Sequence, residues 1–347
     1  MDASIKEHAK EMNLSTAPQL REKKIKLIIQ NWVRILDIEL GWISDFDKIV
    51  IKYAKYFQLS KILKGHEGGI NSVKFSPDGC KIISSSNDYT IRIWDVESGK
   101  QIQIFRGHSN WAKVAEFSPD GQTVVSGSSD ETIRVWDAES GKHVMELKGH
   151  SNWVWDINIS SDGKNIVSCS TDKTIRLWSI NSENEIKTLI GHSAGILSVQ
   201  FSPDDQMIVS ASVDNTIALW DVKSGGILKK LIGHSDAVIC ANFSPNGKFI
   251  VSCSDDKTIR IWEVESGKEI KTLKGHSHYV NMVQYFPDGQ TIASCSNDMT
   301  VRLWDVKSGE EIQKLEGHFN QVRGIDISSD GNQIVTSSWD MTIRIWE

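Results

Sequence analysis

Beyond residue 57 the chain reads as short alternating runs of apolar and polar residues, broken at regular intervals by turn chemistry. Trp111 to Phe117 alternates with the period of two expected of a half-buried strand, Ser118-Pro119-Asp120-Gly121 is a turn, and Thr123 to Ser128 is a second strand. Ser129-Asp130-Glu131 then turns the chain into Thr132 to Asp137, and Glu139-Ser140-Gly141-Lys142 turns it again into His143 to Leu147. The pattern predicts four short antiparallel strands. Earlier in the chain the period changes. Ile25, Ile28, Ile29, Trp32, Ile35 and Leu36 recur at helical spacing after Thr16 and Gln19, a capping-box pair. Phe46, Ile49, Val50, Tyr53 and Phe57 mark one face of a second helix, signalled by Ser44 and Asp47, and the first dozen residues read as a frayed polar lead.

The four-strand unit repeats. Gly-His recurs at His66, His108, His150, His192, His234, His276 and His318, always 42 residues apart, and Trp recurs with the same step at Trp94, Trp136, Trp178, Trp220, Trp262, Trp304 and Trp346. One four-stranded sheet of this size cannot bury both faces, so units must stack, and seven stacked radially close a ring. A period of this length with Gly-His near one end and Trp-Asp near the other resembles the WD40 repeat. The resemblance covers residues 58–347 and implies an all-β fold, a seven-bladed WD40 β-propeller, with residues 1–57 as a short N-terminal α-helical segment. The last unit reaches Glu347 directly after its third strand, while residues 58–64 carry the fourth-strand pattern of Glu269 to Lys274. Those seven residues are therefore expected to complete the last blade and remove two open sheet edges. Ser60 stands where most units carry isoleucine or valine, which predicts a weaker strand.

Each unit also holds a histidine, a serine or threonine, an aspartate and a tryptophan at constant spacing. Ser, His and Asp are the ingredients of nucleophilic catalysis. Catalysis needs one exposed set beside an oxyanion site, however, and here the set is complete in all seven units. The family resemblance implies a buried tetrad instead, in which the aspartate bonds the histidine and the histidine is linked through the hydroxyl to the indole N–H. The sets are His66, Ser84, Asp88 and Trp94; His108, Ser126, Asp130 and Trp136; His150, Ser168, Asp172 and Trp178; His192, Ser210, Asp214 and Trp220; His234, Ser252, Asp256 and Trp262; His276, Ser294, Asp298 and Trp304; His318, Thr336, Asp340 and Trp346. Ser179, Glu263 and Glu347 replace the aspartate of the Trp-Asp pair, a position outside the tetrad where change is expected to be tolerated. Ala218 replaces an arginine that the other units keep, and the sequence supplies no reason for it.

Composition narrows the function. A formal charge of -6 offers no basic field for a phosphate backbone, so nucleic acid is not expected as a partner. No apolar run approaches the roughly 18 residues of a membrane span, and the N-terminus has no signal core, which reads as an intracellular, cytoplasmic protein without a membrane partner. The five cysteines contain no C-x-x-C pair; Cys169, Cys253 and Cys295 fall in one repeated slot and read as small buried residues. No unit carries an extra carboxylate pair, metal set or phosphate loop, so no cofactor, metal or catalytic site is expected.

The family resemblance places partner contacts three and five residues after the Gly-His histidine and one before the tetrad aspartate. This gives Gly69, Asn71 and Asn87; Trp111, Lys113 and Ser129; Trp153, Trp155 and Thr171; Gly195, Leu197 and Val213; Ala237, Ile239 and Asp255; Tyr279, Asn281 and Asn297; Gln321, Arg323 and Trp339. Trp153 and Trp155 are expected on one side of a strand by simple alternation, joined by Trp111 one blade away. Large aromatics at a rim point to a contact surface. The expected function is a protein–protein interaction scaffold holding a peptide or protein, and the indoles favour a methylated lysine over a phosphopeptide, for which Arg323 and Lys113 are the chief cations. The alternatives are a substrate-recognition subunit of a ubiquitin ligase or chromatin complex, and an assembly module that self-associates through residues 1–57.

Overall fold

The computed structural model describes residues 56–180, 182 and 185–347. The two helices read from the earlier sequence lie outside the described residues. The rest is seven four-stranded antiparallel sheets. The second blade is typical: an inner strand Ala112–Phe117, then Thr123–Ser128, Ile133–Asp137 and an outer strand His143–Leu147. Its first turn follows from its residues. Gly121 takes a left-handed φ of 70°, and the Asp120 carboxylate accepts the Ser118 hydroxyl and the Gln122 N–H, the short-range bonding that makes Asp a turn residue.

Cohesion comes from packing between blades. Val125, Val135 and Leu147 of the second blade share one apolar cluster with Ile157, Ile166 and Trp178 of the third. Polar groups along the channel add a second tie. Asn158 Oδ1 accepts the Phe201 N–H at 2.9 Å, Gln200 Oε1 accepts Phe243 N–H at 2.7 Å, and Asp326 Oδ2 accepts Phe75 N–H at 2.7 Å. In each case an inner-strand side chain satisfies a backbone donor of the next blade, which a buried amide requires.

The ring closes at the seam between the two ends of this stretch. Leu59–Lys64 pairs antiparallel with Thr342–Trp346, and Gln58 exchanges two backbone hydrogen bonds with Glu347 at 2.8 and 2.9 Å. Phe57 belongs to this seam, not to a helix face. It is buried against Phe286, and its backbone N–H and C=O are both bonded by the Gln313 amide. Ser60 sits at a bulge of the outer strand, with its side chain exposed. The outer strand bulges at this position in every blade, and in most the bulged side chain points away from the core: Ile102, Val144, Ile186, Leu228 and Ile270 are all more than half exposed there, whereas Ile312 of the sixth blade packs on the core.

The fourth blade explains Ala218. In most other blades the arginine spans to the outer strand, as Arg92 does to Gln101 and to the Gly65 carbonyl at 2.7 Å, or Arg260 to Glu269 at 2.5 Å, while Arg344 of the last blade lies over Phe319. In the fourth blade Ala218 comes with Ile227 in place of the acidic or amide partner, Ile227 lies against Gly191, and Lys230 Nζ reaches the Gly191 carbonyl at 2.9 Å. Both ends of the pair have changed together, and a lysine from the outer strand covers the carbonyl.

Candidate functional site at the mouth of the central channel

Two polar constellations repeat or converge in the ring, and they differ in access. The first is the set of tetrads. In all seven blades the histidine Nδ1 lies 2.7–2.9 Å from the aspartate Oδ2, and Nε2 lies 2.8–2.9 Å from the hydroxyl oxygen. The same oxygen accepts the indole N–H at 2.8–3.0 Å. Since the carboxylate only accepts, Nδ1–H donates to the aspartate, and the hydroxyl oxygen, which accepts the indole N–H, bonds Nε2 on its other side. Burial, against the pull of the aspartates, holds His66, His192 and His318 below their ordinary value. Burial alone would raise the seven aspartates, but the hydrogen bonds from histidine and threonine outweigh it and hold all seven below the usual carboxylate range. The seven hydroxyl-bearing residues are fully buried, so no substrate reaches them.

A fifth member went unread in the sequence. The threonine two residues after each aspartate donates to its other carboxylate oxygen at 2.6–2.7 Å. The intervening residue is left-handed in every blade although none is glycine: Tyr89, Glu131, Lys173, Asn215, Lys257, Met299 and Met341. The invariant Asp-x-Thr spacing was the available signal. The aspartate holds a turn that carries backbone strain.

The second constellation is the channel mouth. Every inner strand carries a β-bulge near its start, at Asn71, Lys113, Trp155, Leu197, Ile239, Asn281 and Arg323. A bulge re-aims one side chain, and all seven line a single cavity of about 420 Å³. Trp153 and Trp155 therefore meet for a different reason from simple alternation: Val154 opens the strand, Trp153 precedes it, and Trp155 is the bulged residue. Their ring centroids lie 6.0 Å apart, as do those of Trp111 and Trp153. Trp111 and Trp153 are 37% and 38% exposed. Trp155 is sunk deeper, packing on the apolar cluster that includes Leu189 and Ile196 and donating its N–H to Thr171 at 2.7 Å.

The remaining positions divide. Val213, Asp255, Tyr279 and Asn297 line the same cavity as Lys113 and Arg323. Trp339 lies across the seam against Gly69, where an added Cβ would come within 2.8 Å of the indole, and its ring faces the Arg323 guanidinium at 5.3 Å. Asn71 and Asn281 bond Asn87 and Asn297 and reach a backbone carbonyl of the next blade at 2.8 and 2.7 Å. Ser129 and Ala237 are buried and offer no surface.

Lys113 changes the chemistry of the mouth. Its Nζ lies 4.4 Å from the Trp155 ring, 4.6 Å from Trp111 and 5.3 Å from Trp153, so the indole faces already hold an ammonium. Burial and the nearby Arg323 hold the Lys113 amine down to about 8. Deeper in the channel sit charges that were not singled out in the sequence. Lys74 pairs with Asp326 at 3.9 Å, burial pushes Glu116 up to about 7, and burial pushes Asp156 up to about 6. The readable signal for Lys74, Glu116 and Asp326 was the eighth residue after each Gly-His histidine, which is polar in all seven repeats; Asp156 stands at the sixth position and has no such signal.

A model of the WD domain, G-beta repeat matches residues 57–95, 99–137, 141–179 and 309–347, and a model of the first β-propeller of IFT122 matches the intervening 196–307. The chain is a WD40-repeat protein. WD40 propellers are protein-interaction folds that generally act as non-catalytic scaffolds, and this one is similar in single repeats to several proteins. It is 54% identical over 41 residues to a guanine nucleotide-binding protein subunit beta of Oryza sativa subsp. indica, covering 12% of this chain and 11% of that one. It is 44% identical over 61 residues to the vegetative incompatibility protein HET-E-1 of Podospora anserina, covering 18% and 4%, and 54% identical over 39 residues to the Lissencephaly-1 homolog of Dictyostelium discoideum, covering 11% and 9%. Each match thus spans a small fraction of the relative's length.

Proposed function

We propose that this WD40 propeller is a non-catalytic platform that holds a peptide or protein segment over the channel mouth, across the edge formed by Trp111, Trp153 and Trp155. One observation carries the reading. Of the 13 tryptophans, seven close the tetrads and two precede residue 57; the other four, Trp111, Trp153, Trp155 and Trp339, all gather at one end of the channel. Indoles left partly in water cost apolar exposure that folding does not recover, and a partner that covers them does. The test is capture by the intact chain compared with capture by Trp111→Ala/Trp153→Ala, with folding matched by thermal melts. Loss of specific partners with the double variant supports the platform; identical capture by both proteins removes the mouth from the function.

A further inference from the structure

The chemistry of the partner follows from Lys113, and the step rests on the platform reading above. Lys113 is only 7% exposed and lines the cavity, yet its ammonium donates to no protein acceptor among the described residues. The three indoles attract the charge but provide no lone pair for its three N–H donors. Arg323 lines the same cavity and spends one amine on Asn281 Oδ1 at 3.0 Å, with its guanidinium over Trp339. Two cations that line one cavity, one of them with no protein acceptor, offer an anion a place to bind.

A methylated ammonium would have to evict Lys113 from the indoles, and Lys113, tethered to the same strand, pays no association entropy to stay. An anion supplies what both cations lack. Asp255 lines the same cavity and its charge acts on Arg323, whereas Lys113 has no carboxylate acceptor, so one monovalent anion matches the cation left over. A phosphate dianion would exceed that balance, with Asp156 and Glu116 lining the same cavity below. We propose that the mouth binds the carboxylate of an acidic peptide segment between Lys113 and Arg323, with Trp111 and Trp153 packing on the flanking residues.

The experiment is an NMR titration of the full chain labelled with 15N-tryptophan, at fixed ionic strength. The probes are three capped tripeptides of the form Gly-x-Gly in which x is glutamate, phosphoserine or trimethyllysine. Single Trp→Phe variants assign the indole signals. The glutamate peptide is expected to shift the signals of Trp111, Trp153 and Trp155 while the tetrad signals stay fixed, and Lys113→Met to weaken it about tenfold. That variant keeps the apolar stem and removes a buried unpaired charge, so folding is retained; Lys113→Arg, which keeps the charge, should bind within about threefold of the parent. Tighter binding of the trimethyllysine or phosphoserine peptide overturns the proposal, and so does unchanged glutamate binding by Lys113→Met. Partner capture that depends on the indoles but not on Lys113 would leave the platform standing and remove only the carboxylate.

Discussion

The tetrad layer and the channel mouth are built from the same repeat, a few residues apart, and they have diverged in opposite ways. The tetrads keep the same atoms at the same distances in seven blades, even where Thr336 replaces serine. At the mouth the seven bulged positions hold Asn, Lys, Trp, Leu, Ile, Asn and Arg. Repetition marks what every blade needs in order to fold, namely a buried polar group satisfied by its neighbours. Divergence marks where the ring stops being symmetric, and a ligand can only be recognised by an asymmetric surface. The fourth blade refines the rule: Ala218 and Ile227 replace the arginine and its polar partner together, and with Lys230 on the Gly191 carbonyl they make one packed arrangement.

The comparison can be broken first at the seam, where the effect should be largest. Deleting residues 58–64 removes the outer strand of the last blade and exposes two edges, so cooperative melting should be lost and aggregation should rise; a melt like that of the intact chain would show that closure does not hold the ring. Next come the tetrads. Asp172→Ala leaves His150 and Thr174 without their acceptor and should cost about 1 to 3 kcal/mol in urea unfolding, with similar losses for the aspartates of the other blades and no change in partner binding. The mouth should show the reverse. Trp111→Ala/Trp153→Ala is expected to weaken binding by roughly 2 kcal/mol with stability nearly unchanged, whereas Trp155→Ala should lose stability as well, because that indole packs on the core and donates to Thr171.

Smaller effects sharpen the contrast. Ala218→Arg alone meets Ile227 where most of its counterparts meet an acidic or amide partner and should destabilise by about 1 kcal/mol; adding Ile227→Glu rebuilds the arrangement of Arg302, Glu311 and Lys314 in the sixth blade and should recover most of it. The pH dependence separates the layers as well. The tetrad aspartates are held low in the fold, so their contribution is present above about pH 4 and is lost as the pH falls through their folded values. Glu116 is raised to about 7 in the fold, so its penalty appears as the pH rises from about 4.5 toward 7. Glu116→Gln should therefore be more stable than the parent at pH 8, by about 1 to 2 kcal/mol, with the difference gone below pH 4.5. A gain that persisted at pH 4 would assign the effect to packing instead.

Much of this molecule is determined by sequence alone, because a repeat averages its own noise. The 42-residue step, the alternation and the turns identify four strands per unit and seven units, since each feature depends only on residues close in the chain. The Asp-x-Thr spacing and the polar eighth position were as regular and carried the same kind of information. Other features needed the fold. Phe57 looks like one more apolar position on a helical face until the seam brings Phe286 and Gln313 to it from the far end of the ring. Ser60 looks like a defect until the bulge turns its position outward. Lys113, Trp111, Trp153 and Trp155 come from neighbouring blades, and no local pattern states that an ammonium from one blade will settle among indoles shared by two. Strand period is a short-range property and survives in the sequence, whereas the meeting of side chains across a channel depends on ring closure and on where each bulge points them, which only the tertiary structure decides.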